Sequence, residues 1–351
     1  MVSCICLNKK TEQSKSHYEG FLGPVPIEGG GDEPGKHKLP KVFVSRLIDP
    51  EAIRQLKLKY HVELWDTEEV IPRPTLIRCV EGCTVIVSTT SDIIDMEVLE
   101  AAGPQLRLVC NMASDLSNVD VAACERRSVS VHCAGEVCVE AVAELTCALL
   151  LMVPRRLMEG CEAAHRGQWD LPLYGYAMTN RVLGFLGFGP VGWEVASRMQ
   201  PFDLSRIIYY DKVTHPLAKD VNAEQVSLED VFSLSDLIVC TLALSSETKG
   251  IVNAEKFNMC KSECIFVNTS RGALVNHDDL VAALESKQIA GAGLDVTHPQ
   301  PLPTDHPLLK LPNCIVTPHM GSATYQTRLK MALSVVNAAL ETMHSTPHPS
   351  Q

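Results

Sequence analysis

The sequence predicts an α/β protein with two parallel-sheet domains. Three observations point there. Short apolar runs alternate with helical patterns along most of the chain, a glycine turn sits between one such run and a helix, and 351 residues suffice for two domains. Hydrophobic residues make up 46% of the chain, enough for two cores. A net charge of −11 argues against a nucleic-acid or anionic-membrane partner. No apolar run is long enough to span a bilayer, and the first residues lack the apolar segment of a signal peptide.

Residues 1–40 are polar and rich in Gly and Pro, and read as a disordered extension. Strands are expected at 41–45, 62–66, 84–89, 107–111 and 129–133, with helices between them, for example at 50–60 and 95–102. Residues 137–166 follow as a long apolar helix pattern interrupted by Pro154. An interior proline loses a hydrogen bond and costs about 3 kcal/mol, so a kink or break is expected near Val153. Further strands are expected at 182–186, 207–210, 237–242, 264–269, 290–296 and 314–317, and helices at 191–199, 228–233, 278–286 and 324–343. The second half is thus expected to be a six-stranded sheet. If the last helix returned to the first sheet, it would make that domain discontinuous.

The second half is organised around residues 181–212, RVLGFLGFGPVGWEVASRMQPFDLSRIIYYDK. Gly187, Gly189 and Gly192 form G-x-G-x-x-G between a strand and a helix, as in a Rossmann dinucleotide fold. The first glycine permits the tight turn, the second lets a pyrophosphate approach the backbone, and the third lets helix and strand pack closely. Phe188, Pro190 and Val191 complete the turn, and the helix N-terminus offers N–H groups and a positive dipole end to phosphates. Pro190 removes one donor but suits the first helical position. Asp211 ends the second strand, where an acid can bind the ribose hydroxyls and repel a 2′-phosphate, so NAD(H) is favoured. Lys212 beside it leaves NADP(H) open.

Of the 14 cysteines, most lie in apolar runs, no C-x-x-C occurs, and no His/Cys cluster has zinc spacing. Reduced thiols in a cytoplasmic protein, with no metal, are the expectation.

Three stretches follow strand ends: residues 268–272, 293–301 and 317–322. In an open α/β sheet ligands bind beyond the carboxyl ends of the strands, so Arg271, Asp295, Gln300, His319 and Ser322 are expected to converge. Hydride transfer to a 2-oxo acid needs a cation fork for the carboxylate and carbonyl, which an arginine supplies. It needs a proton donor near neutral pKa, which a histidine supplies, and a third group to orient that histidine.

SRGALVN, AGLDV and PHMGSAT, in that order after GFGPVG, resemble the D-isomer-specific 2-hydroxyacid dehydrogenases, and VFVSRLI, VELWD and LDVTHPQPLPTDHPLL resemble their glyoxylate/hydroxypyruvate-reducing branch. The resemblance spans about residues 41–343. It implies a discontinuous substrate domain (41–136 and 321–351), a dinucleotide-binding domain (137–320), a cleft between them, and a homodimer. It also implies roles. Arg271 would bind substrate, His319 would be the acid/base group, and Asp295 and Thr269 would lie at the cofactor. Ser322 and Ser114 would lie near the substrate.

Two positions depart from the family pattern. Gln300 stands where the family has a glutamate that pairs with the histidine, so His319 is expected to hold its proton less well. Asp115 stands where the family has a glycine in a carboxylate-holding loop, and is expected to repel a substrate carboxylate unless it turns outward. The expected function is therefore an NAD(P)H-dependent reductase of small 2-oxo acids. The alternative is a catalytically weak or inactive dinucleotide-binding sensor or interaction protein.

Overall fold

The computed structural model describes residues 39–342. The expected disorder of the N-terminal extension thus falls almost entirely outside the described residues. Strands β1 (Lys41–Val44), β2 (His61–Leu64), β3 (Cys83–Ser88), β4 (Leu108–Asn111) and β5 (Ser130–Cys133) form one sheet in the order β2-β1-β3-β4-β5. All its pairings are parallel. Parallel neighbours require crossovers, here made by α1 (Pro50–Leu56), α2 (Arg73–Cys79), α3 (Met96–Ala102) and α4 (Val121–Arg126). Asp49, Asp95 and Asp120 cap three of these helices through their side chains.

The apolar pattern over 137–166 forms two helices, α5 (Val139–Met152) and α6 (Leu157–His165), bent 67° apart. The break falls at Pro154, as expected, and Arg156 adopts φ 51° between the helices. Leu149, Leu150 and Val153 of this segment are buried in the same core as Leu183 and Phe185. No single helix among the described residues is long and apolar enough to cross a membrane.

The second sheet has seven strands, one more than expected. They are β6 (Val182–Leu186), β7 (Arg206–Tyr210), β8 (Ala223–Gln225), β9 (Leu237–Cys240), β10 (Ile265–Asn268), β11 (Gly291–Leu294) and β12 (Cys314–Val316), in the order β12-β11-β10-β9-β6-β7-β8. The extra strand, β8, is a three-residue edge strand of sequence AEQ. With no apolar alternation, it forms only because β7 offers an open edge. Helices α7 (Pro190–Met199), α8 (Leu228–Leu234), α9 (Ala254–Met259) and α10 (His277–Glu285) flank this sheet. The central strands β9 and β10 are buried at every residue, as strands covered on both faces must be. Strands β9, β10 and β11 end earlier than the apolar runs suggest, because Thr241, Thr269 and Asp295 already belong to the loops beyond them.

The last helix, α11 (Tyr325–Thr342), returns to the first sheet. Met331, Ala332, Val335, Val336 and Ala339 join the core of Val42, Val44, Val85 and Val87. The Tyr60 hydroxyl donates to the Ala339 carbonyl at 2.6 Å. Each fully buried Val or Met side chain of this helix contributes about 1.5–3 kcal/mol, so burial holds it to the first sheet.

Candidate active site

The seven-stranded sheet reverses its order at β6, whose neighbours are β7 and β9. Beyond that point lies the glycine turn. Gly187 has φ 83°, and a Cβ there would stand 2.9 Å from the Leu242 nitrogen. Gly189 is the N-cap of α7 with no capping side chain, and a Cβ placed on it would meet nothing within 4 Å. Open space in front of a helix N-terminus is what a diphosphate needs. Gly192 lies under Thr241, whose hydroxyl donates to the Gly187 carbonyl at 2.7 Å. Pro190 occupies the first helical turn, where a missing N–H breaks no intrahelical bond. The Phe188 ring is fully buried and stacks on Tyr209 at 4.5 Å, so this residue faces the core. Its N–H donates to Asp211 Oδ2 at 2.8 Å, tying the end of β7 to the turn. Lys212 forms an ion pair with Glu247, both largely exposed.

Beyond β10, Asn268 shapes the turn that carries the arginine. It accepts from the Ser270 N–H at 3.0 Å and donates to the Arg271 carbonyl at 3.0 Å. Gly272 lets this turn touch the 297–298 backbone, since a Cβ there would stand 2.1 Å from the Thr297 carbonyl carbon. Gly135 does the same for the 112–118 loop, where a Cβ would stand 2.5 Å from the Ser114 carbonyl oxygen. Sequence reading missed Asn268, Gly272 and Gly135 as positioning residues. Only the clash distances reveal the two glycines.

Beyond β12, His319 adopts φ 53°, and Gln300 Nε2 lies 2.7 Å from its Nδ1. In this orientation the amide donates to Nδ1, leaving the remaining ring proton on Nε2 in the neutral imidazole. A second proton on Nδ1 would face another donor. Burial lowers the His319 pKa below its usual value, and the charges of Arg271 and Arg328 add to this against the opposing carboxylates of Asp295 and Asp115. The loop carrying His319 is held by Asp295, which is 2% exposed. Its Oδ1 accepts from the Thr317 hydroxyl at 2.6 Å and the Met320 N–H at 2.8 Å, and its Oδ2 from the Gly321 N–H at 2.8 Å. The Asp295 carboxylate is thus committed to residues 317–321. Thr269 is similarly engaged, 2.8 Å from the Thr146 hydroxyl of α5. The Ser322 side chain is half-buried, without a hydrogen-bond partner among the described residues.

Across the crevice, Asn111 Nδ2 donates to the Asp115 carbonyl at 2.8 Å and to Asn118 at 2.7 Å, fixing the 111–118 loop. Asp115 turns inward. Its Oδ2 accepts from Arg271 Nε at 2.7 Å and also from Nη2, while Oδ1 accepts from the Ser117 N–H and hydroxyl. Burial alone would raise the Asp115 pKa, but the Arg271 charge and the Ser117 bonds outweigh it and hold the carboxyl below the usual range. Ser114 Oγ accepts from Arg271 Nη2 at 3.0 Å. Of the five residues expected to converge, Gln300 bonds to His319, Asp295 holds the loop that carries His319, and the Arg271 charge acts on His319, while Ser322 takes no part in these contacts. The outward turn that would spare the site from Asp115 is absent, because its carboxylate pairs with Arg271.

Residues 147–321 match the family profile described as "D-isomer specific 2-hydroxyacid dehydrogenase, NAD binding domain". The chain is 39% identical over 321 residues to the glyoxylate reductase/hydroxypyruvate reductase of Homo sapiens, covering 90% of this chain and 98% of that protein. It is 38% identical over 302 residues to the glyoxylate reductase of Thermococcus kodakarensis, covering 84% and 90%. A crystal structure of a Thermus thermophilus protein superposes with TM-score 0.82 at 35% identity, covering 88% of this chain and 99% of that one.

Proposed function

Because this chain belongs to the D-isomer-specific 2-hydroxyacid dehydrogenases, NAD(P)-dependent enzymes, we propose that it is a reductase of small 2-oxo acids of the glyoxylate/hydroxypyruvate type. The observation that carries this reading is that Arg271, Gln300 and His319 stand beyond the carboxyl ends of the consecutive strands β10, β11 and β12, with Gln300 bonded to His319 and the Arg271 charge acting on it, in the sheet that carries the glycine turn after β6. A bound nicotinamide dinucleotide would supply hydride to the carbonyl carbon. His319 delivers the proton to the carbonyl oxygen, for which it must first be doubly protonated. Arg271 polarises the carbonyl and stabilises charge developing on its oxygen. Asp295 acts through the 317–321 loop, setting where the imidazole points.

The open space at Gly189 and the uncapped N-terminus of α7 fit a dinucleotide diphosphate, held by the turn 187–192. Asp211 would hold the ribose hydroxyls and favour NAD(H). The ion pair of Lys212 with Glu247 supports that preference, because it leaves less free positive charge for a 2′-phosphate. We further infer a cytoplasmic homodimer. Trp169 and Tyr174, more than four-fifths exposed just after α6, support a face that a second subunit covers.

The test is oxidation of NADH and NADPH with glyoxylate and hydroxypyruvate at about pH 5 to 8, the window in which histidines titrate, with cofactor binding followed by fluorescence. Turnover that disappears in His319→Ala while cofactor binding persists supports the reductase. The Asp115–Arg271 contact favours a second reading, a dinucleotide-binding protein with little catalysis. Tight cofactor binding with no turnover of any small 2-oxo compound would establish it.

A further inference from the structure

We propose that Asp115 is a specificity-determining residue that stands in for a substrate carboxylate, and that the preferred substrates are small vicinal dicarbonyls carrying no carboxylate. This rests on the NAD(P)H-dependent reductase chemistry proposed above and departs from its 2-oxo-acid substrates, replacing the carboxylate by a second carbonyl. A guanidinium has five N–H donors. Arg271 Nε and one Nη2 donor go to Asp115, the second Nη2 donor to Ser114 Oγ, and one Nη1 donor to the Ser270 carbonyl at 2.5 Å. Four of the five are used, and the Nε/Nη2 edge that grips a carboxylate bidentately already grips one. One guanidinium donor remains, together with the Ser114 hydroxyl proton, whose oxygen accepts from Arg271. Two single donors suit two adjacent carbonyl oxygens. A carboxylate must either displace Asp115 or bring a second negative charge beside it.

Displacement is opposed from every side. The Asp115 backbone is held by Asn111, its second carboxylate oxygen by Ser117, and its acidity keeps it charged. An expelled Asp115 would remain beside the incoming acid, a like-charge pair. An uncharged dicarbonyl leaves the pair intact. The reaction then balances as a two-electron reduction. One carbonyl carbon accepts hydride from bound NADH, which is oxidised to NAD+. The carbonyl oxygen takes the proton from the His319 imidazolium, giving a 2-hydroxy ketone, and solvent reprotonates His319.

The experiment compares kcat/KM for butane-2,3-dione with that for glyoxylate in the wild type, Asp115→Asn and Asp115→Gly. NADH binding and thermal melting confirm that each variant is folded. The expected result is a wild-type preference for the dione that falls by at least ~100-fold in both variants. A merely structural loss would lower both activities and leave their ratio unmoved. A wild type that prefers glyoxylate, or a ratio unchanged by both substitutions, overturns the inference while leaving the reductase standing. Failure of both substrates in all three proteins, with NADH bound, overturns the reductase reading and this inference with it.

Discussion

The Asp295 carboxylate accepts three hydrogen bonds from the short segment 317–321, and the residue is almost wholly buried. Asp115 accepts two from Ser117 and two from Arg271, and its side chain is 37% exposed. The first acid builds the loop that carries His319, the proposed acid/base group. The second occupies the arginine that the chemistry would use. One carboxylate is therefore spent on architecture and the other is proposed to govern substrate choice, and the two roles should separate in their cost to stability and their effect on turnover.

The largest contrast concerns chemistry. His319→Ala should lower kcat by about 10²- to 10⁴-fold, the usual worth of a positioned acid/base group. Cofactor affinity, read by fluorescence titration, should hardly change. Asp295→Ala should also impair turnover but chiefly destabilise, by about 2–4 kcal/mol, because it strands buried donors that each cost ~1–3 kcal/mol. Urea unfolding would measure this. Asp115→Asn, by contrast, should cost only about 1 kcal/mol or less, since its ion pair is partly exposed and screened by solvent. An equal loss of stability from the two substitutions would erase the distinction between them.

The pH dependence sharpens the comparison further. Reduction requires imidazolium, and the His319 pKa lies below its usual value, so activity falls as pH rises through that lowered pKa. Gln300→Glu places a charge at Nδ1 and raises the pKa, so the falling limb of kcat/KM should move about one unit toward alkaline pH. Coincident profiles for Gln300→Glu and the wild type would show that Gln300 is not what limits proton supply. The smallest effect is expected at Lys212. Glu247→Gln frees its charge and should improve NADPH binding by less than about tenfold, with NADH binding little altered.

The glycine turn, the acid at the end of β7, the break at Pro154 and most strands were legible because each is written locally, in spacing and in residue type. The six strands with continuous apolar runs could be read, whereas β8 could not, because AEQ pairs only when β7 presents an edge to it. Phe188 and Thr269 lie at cofactor-like positions in the sequence, yet their side chains are taken by Tyr209 and Thr146. Such engagements depend on packing, which spacing does not encode.

By itself, the sequence determined the fold class, the dinucleotide turn, and the residue types that reach the crevice, since these follow from backbone sterics, apolar periodicity and strand-end position. It also singled out Gln300 and Asp115 as departures. Only the tertiary structure decided what Asp115 does. Its partner lies 156 residues away on the other sheet, and whether a carboxylate repels a ligand or neutralises an arginine depends on a few ångströms of separation between two separately built halves.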